Sequence, residues 1–555
     1  MNQDNIRLIL LLALGFVLFL IWQAWEQDHA TTVPAQTTTQ QTPNKAADVP
    51  AGVAATEQAA PAATASATPG TAATLASAQR VHVVTDLFDA EIDTIGGDLR
   101  RLDLLAYAVA ANKPNEPFRL MTEAAPKLFI AQTGLLADAN VPDHHAVFSA
   151  AQTQYRLADG ADELKVRLHW VSPEGVPVDK TYTFTRASYE VKIDYVLHNT
   201  TAQEVRGRMY GQFQRVDDSA SQSKFIYTYT GGVISSAENK YEKITFDQIA
   251  ETDLSREIKG GWAAMLQHYF VGAWIPPVTE TSRYYTKAIK EGVETTHHIL
   301  GLVTAERAIK PGETATLGLK LYAGPKLQDQ LKEIAPGLEL TVDYGLLTVL
   351  AQPLFWLLEY IHGVVKNWGW SIVLLTLLIK LVFYHLSAAS YRSMANMRRL
   401  QPRIVSIRER HGDDRQRMSQ AMMELYKTEK INPLGGCLPV LVQIPVFIAL
   451  YWVLLESVEL RQADFIFWLN DLSSKDPYYV LPLLMGITMF IQMKLSPAPP
   501  DPLQAKVMMA LPVIFTFFFA FFPSGLVLYW VANNALSILQ QWHITRKIEA
   551  AASSK

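Results

Sequence analysis

Cysteine is almost missing from this chain, and the single thiol, Cys437, excludes an internal disulfide and any zinc site built from several thiolates. Any exported part must therefore be held by its own apolar core. Nucleotide and hydrolase signatures are absent as well: no GxxxxGKS or GxxxxGKT, no GxSxG and no HExxH occurs. That excludes a P-loop pump and leaves serine-hydrolase and zinc-peptidase chemistry without support. Ser371 and Lys380 lie nine residues apart on one expected helix, about half a turn out of phase, so they do not form a catalytic dyad. No enzyme activity and no cofactor is expected. Charge is scarce too, at 18% of residues against 49% hydrophobic, and it is withheld from a few long apolar runs. A net charge of -4 over 555 residues rules out a uniformly basic nucleic-acid binder, so no specific nucleic-acid readout is expected.

The apolar runs set the class. Leu8 to Trp25 is uncharged, follows Arg7 and ends in Trp22 and Trp25, which suit a membrane interface. Residues 1–29 read as an uncleaved anchor, with a cleaved signal peptide as the competing reading. Further spans are expected at Trp370 to Leu386, Leu438 to Leu455, Tyr478 to Met493, Val507 to Phe522 and Leu526 to Gln540, six in all with the anchor. The loop Arg392 to Lys430 carries ten Lys/Arg against five Asp/Glu, whereas Glu456 to Tyr479 carries two against five. The basic loop should be cytoplasmic. By alternation both termini are then cytoplasmic, and the stretch after the anchor lies outside. Leu346 to Ile361, with Pro353 and Glu359, would reverse this parity if it crossed, so residues 343–368 read as an interfacial amphipathic helix. Leu434-Gly435-Gly436-Cys437 has the look of a lipoprotein box, but it stands mid-chain on the cytoplasmic side, where lipidation is not expected.

Between anchor and spans lie two unlike segments. From Ala30 to Gln79, 38 of 50 residues are Ala, Thr, Pro or Gln and only Lys45, Asp48 and Glu57 are charged. Such a stretch cannot bury enough apolar surface to order itself, so residues 30–79 read as a disordered tether. Residues 80–342 carry period-two patterns such as Val81, Val83; Val166, Leu168, Trp170; Val191, Ile193, Tyr195, Leu197; and Leu317, Leu319, Leu321. Many short strands of this kind predict an antiparallel β-sandwich. His144-His145 and His297-His298 lack the spacing of a zinc helix and read as exposed strand-end or loop residues. The core 369–545 contains a helical hairpin over 390–431: Met394, Met397, Leu400, Ile404 and Ile407 recur at three and four residues, as do Met418, Met422 and Leu425. Core filling is the common reason for such a stripe, although flexible thioethers also suit varied apolar partners. Residues 546–555 form a short cytoplasmic tail.

The functional signal is Lys380, about ten residues and hence ~15 Å into its span from Trp370. A charge there costs on the order of 2.5 to 3.5 kcal/mol on insertion scales, so it should face protein or a wet cavity rather than snorkel to headgroups. Thr376 shares its face. Gln443 on the third span and Tyr529, Trp530, Asn533, Asn534 and Ser537 on the sixth supply polar neighbours. The asparagines serve either a hydrated groove or hydrogen bonds between helices.

Several long motifs in one order resemble the YidC membrane-protein insertases of Gram-negative bacteria: IWQAWEQD from Ile21, KGGW from Lys259, LTVDYG from Leu340, MRRLQP from Met397, NPLGGC from Asn432, SVELRQ from Ser457, DPYY from Asp476 and PSGLVLY from Pro523. The resemblance spans nearly the whole chain apart from the tether. It implies a β-super-sandwich in the periplasm and five helices forming a positively charged hydrophilic groove, open to cytoplasm and lipid and closed outside. It implies an insertase and chaperone for nascent inner-membrane proteins, working with or without the Sec translocon and its accessory subunits, beside the ribosome and membrane lipids, without nucleotide hydrolysis. Groove positions carry onto Thr376, Gln443, Tyr529 and Trp530, and onto Lys380, where the family usually has arginine; the fixed charge is kept but the bidentate fork is lost. Met394, Met397, Met418 and Met422 would receive clients on the cytoplasmic side. The competing reading is a polytopic solute transporter with Lys380 as counter-ion, which predicts inverted repeats and broken helices. A third is a scaffold whose exported sandwich binds partners.

Overall fold

A computed structural model describes residues 48–50, 75–218, 228–291, 295–411, 414–429, 438–496 and 502–553. The expected anchor and most of the tether lie outside the described residues. The described residues divide into two compact units, one up to Asp343 with Glu456–Glu459, the other from Tyr344 to Leu455 and from Leu460 onward.

Among the described residues the first unit holds two sheets. The larger has eleven strands, with Thr281–Glu291, Thr295–Val303, Val205–Val216, Phe129–Ala137, Asp98–Ala108 and Phe88–Asp93 as successive neighbours through its middle. The smaller has nine, centred on Phe270–Ile275, Thr314–Pro325, Glu190–His198 and Pro177–Thr185. Pairing is antiparallel except where Arg80–Val84 meets Gln154–Arg156. The alternation seen in the sequence is the alternation of burial: Val191, Ile193, Tyr195 and Leu197 are buried while their neighbours are not. Trp262, Trp274, Tyr182 and Phe184 fill the same core, each adding about 1.5 to 3 kcal/mol by leaving water. Two short helices, α1 (Phe246–Glu251) and α2 (Gln328–Ile334), attach to it; Thr245 and Gln248 close a capping box at the start of α1.

This core also contains an unusual cation. Lys180 is fully buried, its Nζ donates to Gly96 O at 2.9 Å, and it lies 5.3 Å from the ring centroids of both Tyr182 and Tyr195. Burial pulls its pKa down from 10.5 to about 7.

The histidine pairs depart from expectation. His144, His297 and His298 are buried. Gln214 and Glu291 both contact His297, and His298 lies on the ring of Phe246. On the strand Thr295–Val303 adjacent side chains point to opposite faces of a sheet covered on both sides, so both histidines are enclosed.

The second unit is helical: α3 (Thr348–Val365), α4 (Trp368–Val382), α5 (Tyr384–Arg399), α6 (Gln401–His411), α7 (Arg415–Thr428), α8 (Leu438–Glu456), α9 (Val480–Leu495), α10 (Pro502–Phe519) and α11 (Ser524–Ser553). Six spans are not recovered. Among the described residues one helix, Gly345–Val365, is long and apolar enough to cross a membrane alone, and the pair α4 and α5, bent by 70°, makes a second if taken together. Val442–Glu456, Val480–Leu495 and Lys506–Phe519 are shorter apolar helices. In α3, Ala351, Phe355 and Leu358 are buried, while Val349, Trp356, Tyr360 and Val364 form an exposed face that is itself apolar. The expected span Trp370 to Leu386 instead ends at Phe383, where the helix turns. Neither proline nor glycine stands there, and beyond the bend α5 packs against α11. The last helix, in turn, continues well past Gln540.

Candidate functional site: a buried lysine among polar helices

Three local devices position the helix that carries Lys380. Asn367 caps α4 by accepting from Trp370 N at 3.0 Å, and its Nδ2 donates to Phe465 O at 3.0 Å. Gly369 leaves room for Phe465, which a Cβ there would strike at 2.0 Å. Ser371 donates to Asn367 O, so its hydroxyl is committed to its own helix.

Lys380 is 7% exposed and turns inward, where Nζ donates to Ser537 Oγ on α11 at 2.8 Å. Ser537 Oγ donates in turn to Asn533 O at 2.7 Å, and Tyr391 from α5 also hydrogen-bonds to Ser537. An ammonium has three donors. Among the described residues Ser537 is the one acceptor recorded for it, and no carboxylate lies within ion-pair distance. Thr376 is buried on the same face of α4, its hydroxyl donating to Ile372 O at 2.7 Å.

The polar residues of α11 divide between two neighbours. Asn533 and Ser537 belong to the Lys380 side. Asn534 turns to α9, where its Nδ2 reaches Thr488 Oγ1 at 3.3 Å, and Gln541 Nε2 reaches Leu495 O at 3.1 Å. Asn534 is thus used for helix-to-helix bonding. Two turns nearer the start of α11, Tyr529 stacks on Phe447 at 5.8 Å, and Trp530 lies 4.6 Å from Phe447 and 5.7 Å from Phe519. These rings make an apolar layer between Lys380 and the turn at Pro523, which is tied down by Ser524 N to Ser474 O at 2.7 Å and Gly525 N to Leu472 O at 2.9 Å. Gln443 is half-buried on α8, the helix that also carries Phe447.

The methionines are placed on two elements. Met394 and Met397 lie on α5, Met418 and Met422 on α7, all half-buried. The hairpin proper is α6 with α7, and Asp414 caps α7 through Gln416 N and Arg417 N, both at 3.0 Å. Sequence reading missed Tyr391 and the buried Ser387 and Ser390. Their signal was present as polar residues at a spacing of three and four just beyond Lys380, with Ser390 and Tyr391 at the start of the stretch read as a hairpin over 390–431 and Ser387 between it and the expected span.

A buried cation, polar groups from α5 and α11 beside it and an aromatic layer on one side describe a polar recess in an apolar bundle. Two family models match consecutive parts of the chain, the YidC periplasmic domain over residues 80–357 and the 60Kd inner membrane protein over residues 360–551. The membrane protein insertase YidC of Alkalilimnicola ehrlichii is 53% identical over 100% of this chain and 97% of its own length. That of Thioalkalivibrio sulfidiphilus is 50% identical over 99% of both. The chain belongs to the YidC family of membrane protein insertases.

It is accordingly an inner-membrane protein with a large β-rich periplasmic domain and a helical C-terminal region. The solute-transporter reading finds no support in these relatives. A crystal structure of an active YidC insertase with the first transmembrane domain resolved is 18% identical over 84% of this chain and 92% of that one, with a TM-score of 0.39.

Proposed function

We propose that this insertase passes the polar flank of a nascent membrane protein through a recess at Lys380, while the client's apolar helix leaves along the outer helices into lipid. The observation that carries this reading is the ammonium's unmet demand: three donors, one described acceptor and no described carboxylate in reach. In hydrocarbon such a group favours any arriving carbonyl or carboxylate. About 30 Å of hydrocarbon is prohibitive for a polar segment, and a polar stop partway shortens the dry path. Burial of the client's apolar helix then drives release without nucleotide.

The remaining assignments rest on charge and family. The excess of Lys/Arg in residues 392–430 supports a cytoplasmic hairpin, cytoplasmic termini and six spans, with α3 lying along the interface rather than crossing. Half-buried Met394, Met397, Met418 and Met422 suit first contact with apolar clients of varied shape. The ribosome and the Sec translocon with its accessory subunits are the expected suppliers of clients. Site-directed photocrosslinking tests the route: probes replacing Thr376 and Trp530 should capture stalled nascent chains, while probes at the exposed Val349 should not. Equal capture from all three positions would overturn it.

A further inference from the structure

Besides the contacts of Ser77, Ala78 and Gln79 where it joins the sandwich, the tether meets the sandwich at Asp48, far earlier in the chain, and that meeting is made of metal-ligand atoms. Asp48 Oδ2 lies 2.9 Å from His144 Nε2, and Asp48 Oδ1 lies 3.0 Å from His145 Nε2. These donors stand within 4.8 Å of one another, although 96 residues separate Asp48 from His144. We propose that Asp48, His144 and His145 form a site for a borderline divalent first-row ion of the Zn2+ class, which clips the tether to the periplasmic domain.

The surroundings are built for it. His144 is enclosed, and its Nδ1 lies 2.6 Å from Tyr210 Oη, which also accepts from the His144 backbone N–H at 3.1 Å. With hydrogen on Nδ1 donating to the tyrosine, the Nε2 lone pair faces the Asp48 carboxylate. Two acceptors at that separation need a cation between or beside them, either a proton or a metal ion. An outer hydrogen bond that fixes the tautomer of the ligating ring is the usual support of a metal-bound histidine. Gly134 keeps the Tyr210 hydroxyl in place, since a Cβ there would come within 2.5 Å of it. Gln212 Nε2 holds the Asp48 carbonyl at 3.2 Å, and Asp143 Oδ1 accepts from His145 N at 2.8 Å, setting the turn that brings both rings to one point. Two imidazoles and one carboxylate at about 2.0 to 2.2 Å suit zinc, with a fourth position left to water. Neutral imidazoles with one carboxylate select against Mg2+ and Ca2+, which prefer all-oxygen sets.

The test is calorimetric titration of full-length protein in detergent, stripped with chelator, with ZnCl2 and in parallel with MgCl2. Asp48→Ala and His145→Ala change partly exposed side chains, and each is checked for an unchanged metal-free unfolding temperature. The site predicts one tight Zn2+ equivalent per chain, weakened at least tenfold by either substitution, no comparable Mg2+ binding, and a rise in unfolding temperature on adding Zn2+ to the wild type alone. Zinc affinity equal in wild type and the double variant would mean a proton alone occupies the position. Affinity lost in His145→Ala but kept in Asp48→Ala would show a site without the tether; either result overturns the proposal.

Discussion

Among the described residues Lys180 and Lys380 are buried without an ion pair, unlike buried Lys326, which meets Glu456 at 3.1 Å, and their surroundings give the two different consequences. Lys180 is enclosed by Tyr182, Tyr195 and the Gly96 carbonyl, with its pKa drawn down to about 7 by burial. In the unfolded chain it titrates near 10.4. Between those values the unfolded state binds more protons, so stability must rise with pH across the window, by about 1.4 kcal/mol per pH unit at most. Thermal unfolding of the full-length protein should therefore show a rise from pH 7 to 9 that Lys180→Met flattens. An identical pH dependence in both proteins would mean that Lys180 is charged in the fold. Lys380 is different, because its single described partner, Ser537, is a hydroxyl on another helix and leaves two donors over. The exceptional status of Lys380 was legible from its depth in an apolar run. Lys180 did carry a signal, since it stands in phase with Val178, Tyr182 and Phe184 on the apolar face of its strand, but its charge alone masks that register.

At the scale of elements, close approach between helices is set by residues without side chains. Gly486 on α9 faces Thr516 on α10, and an added Cβ would fall 2.0 Å from Thr516 Oγ1. Gly486→Ala should force the pair apart at a cost of about 1 to 3 kcal/mol. The thermal unfolding midpoint in detergent should fall accordingly. Thr516→Ala on the same background should restore part of the loss, because it removes the atom in conflict. Absence of rescue would place the strain elsewhere. The positions of the elements were largely readable, from period-two burial such as Val191 to Leu197 and from the apolar runs around Val480 to Leu495. Their ends were less so. The break at Phe383 has no local sequence cause, and α11 outruns its apolar stretch because helix propensity in its Gln, Lys, Glu and Ala residues carries it on to Ser553. The division of Asn533 and Asn534 between two neighbours was likewise hidden: adjacent residues differ by 100° around the axis, and which direction is polar depends on the facing helices.

The whole molecule has a periplasmic β-rich domain and a helical unit in which one buried cation is held by Ser537, while Asn534 and Gln541 bond to a neighbouring helix. Most of this was accessible because long runs of sequence specify it: the tether by composition, the sandwich by alternation, the family by ordered motifs. The contact of Asp48 with His144 and His145 was not, since a charged residue in an Ala/Thr/Pro/Gln stretch and a histidine pair in a loop give no sign of each other at a separation of 96 residues. The central claim remains that the charge at Lys380 acts on the client. Its most direct test is insertion of a single-span client carrying either an acidic or a basic translocated tail, in cells whose sole copy of this protein has Lys380, Lys380→Arg or Lys380→Glu. An attraction of about 1 to 2 kcal/mol corresponds to a factor of roughly 5 to 30. The account predicts that Lys380→Glu lowers insertion of the acidic-tailed client by that factor, spares or improves the basic-tailed one, and that Lys380→Arg matches the wild type. Equal insertion of both clients by all three proteins, at equal protein levels, would contradict it.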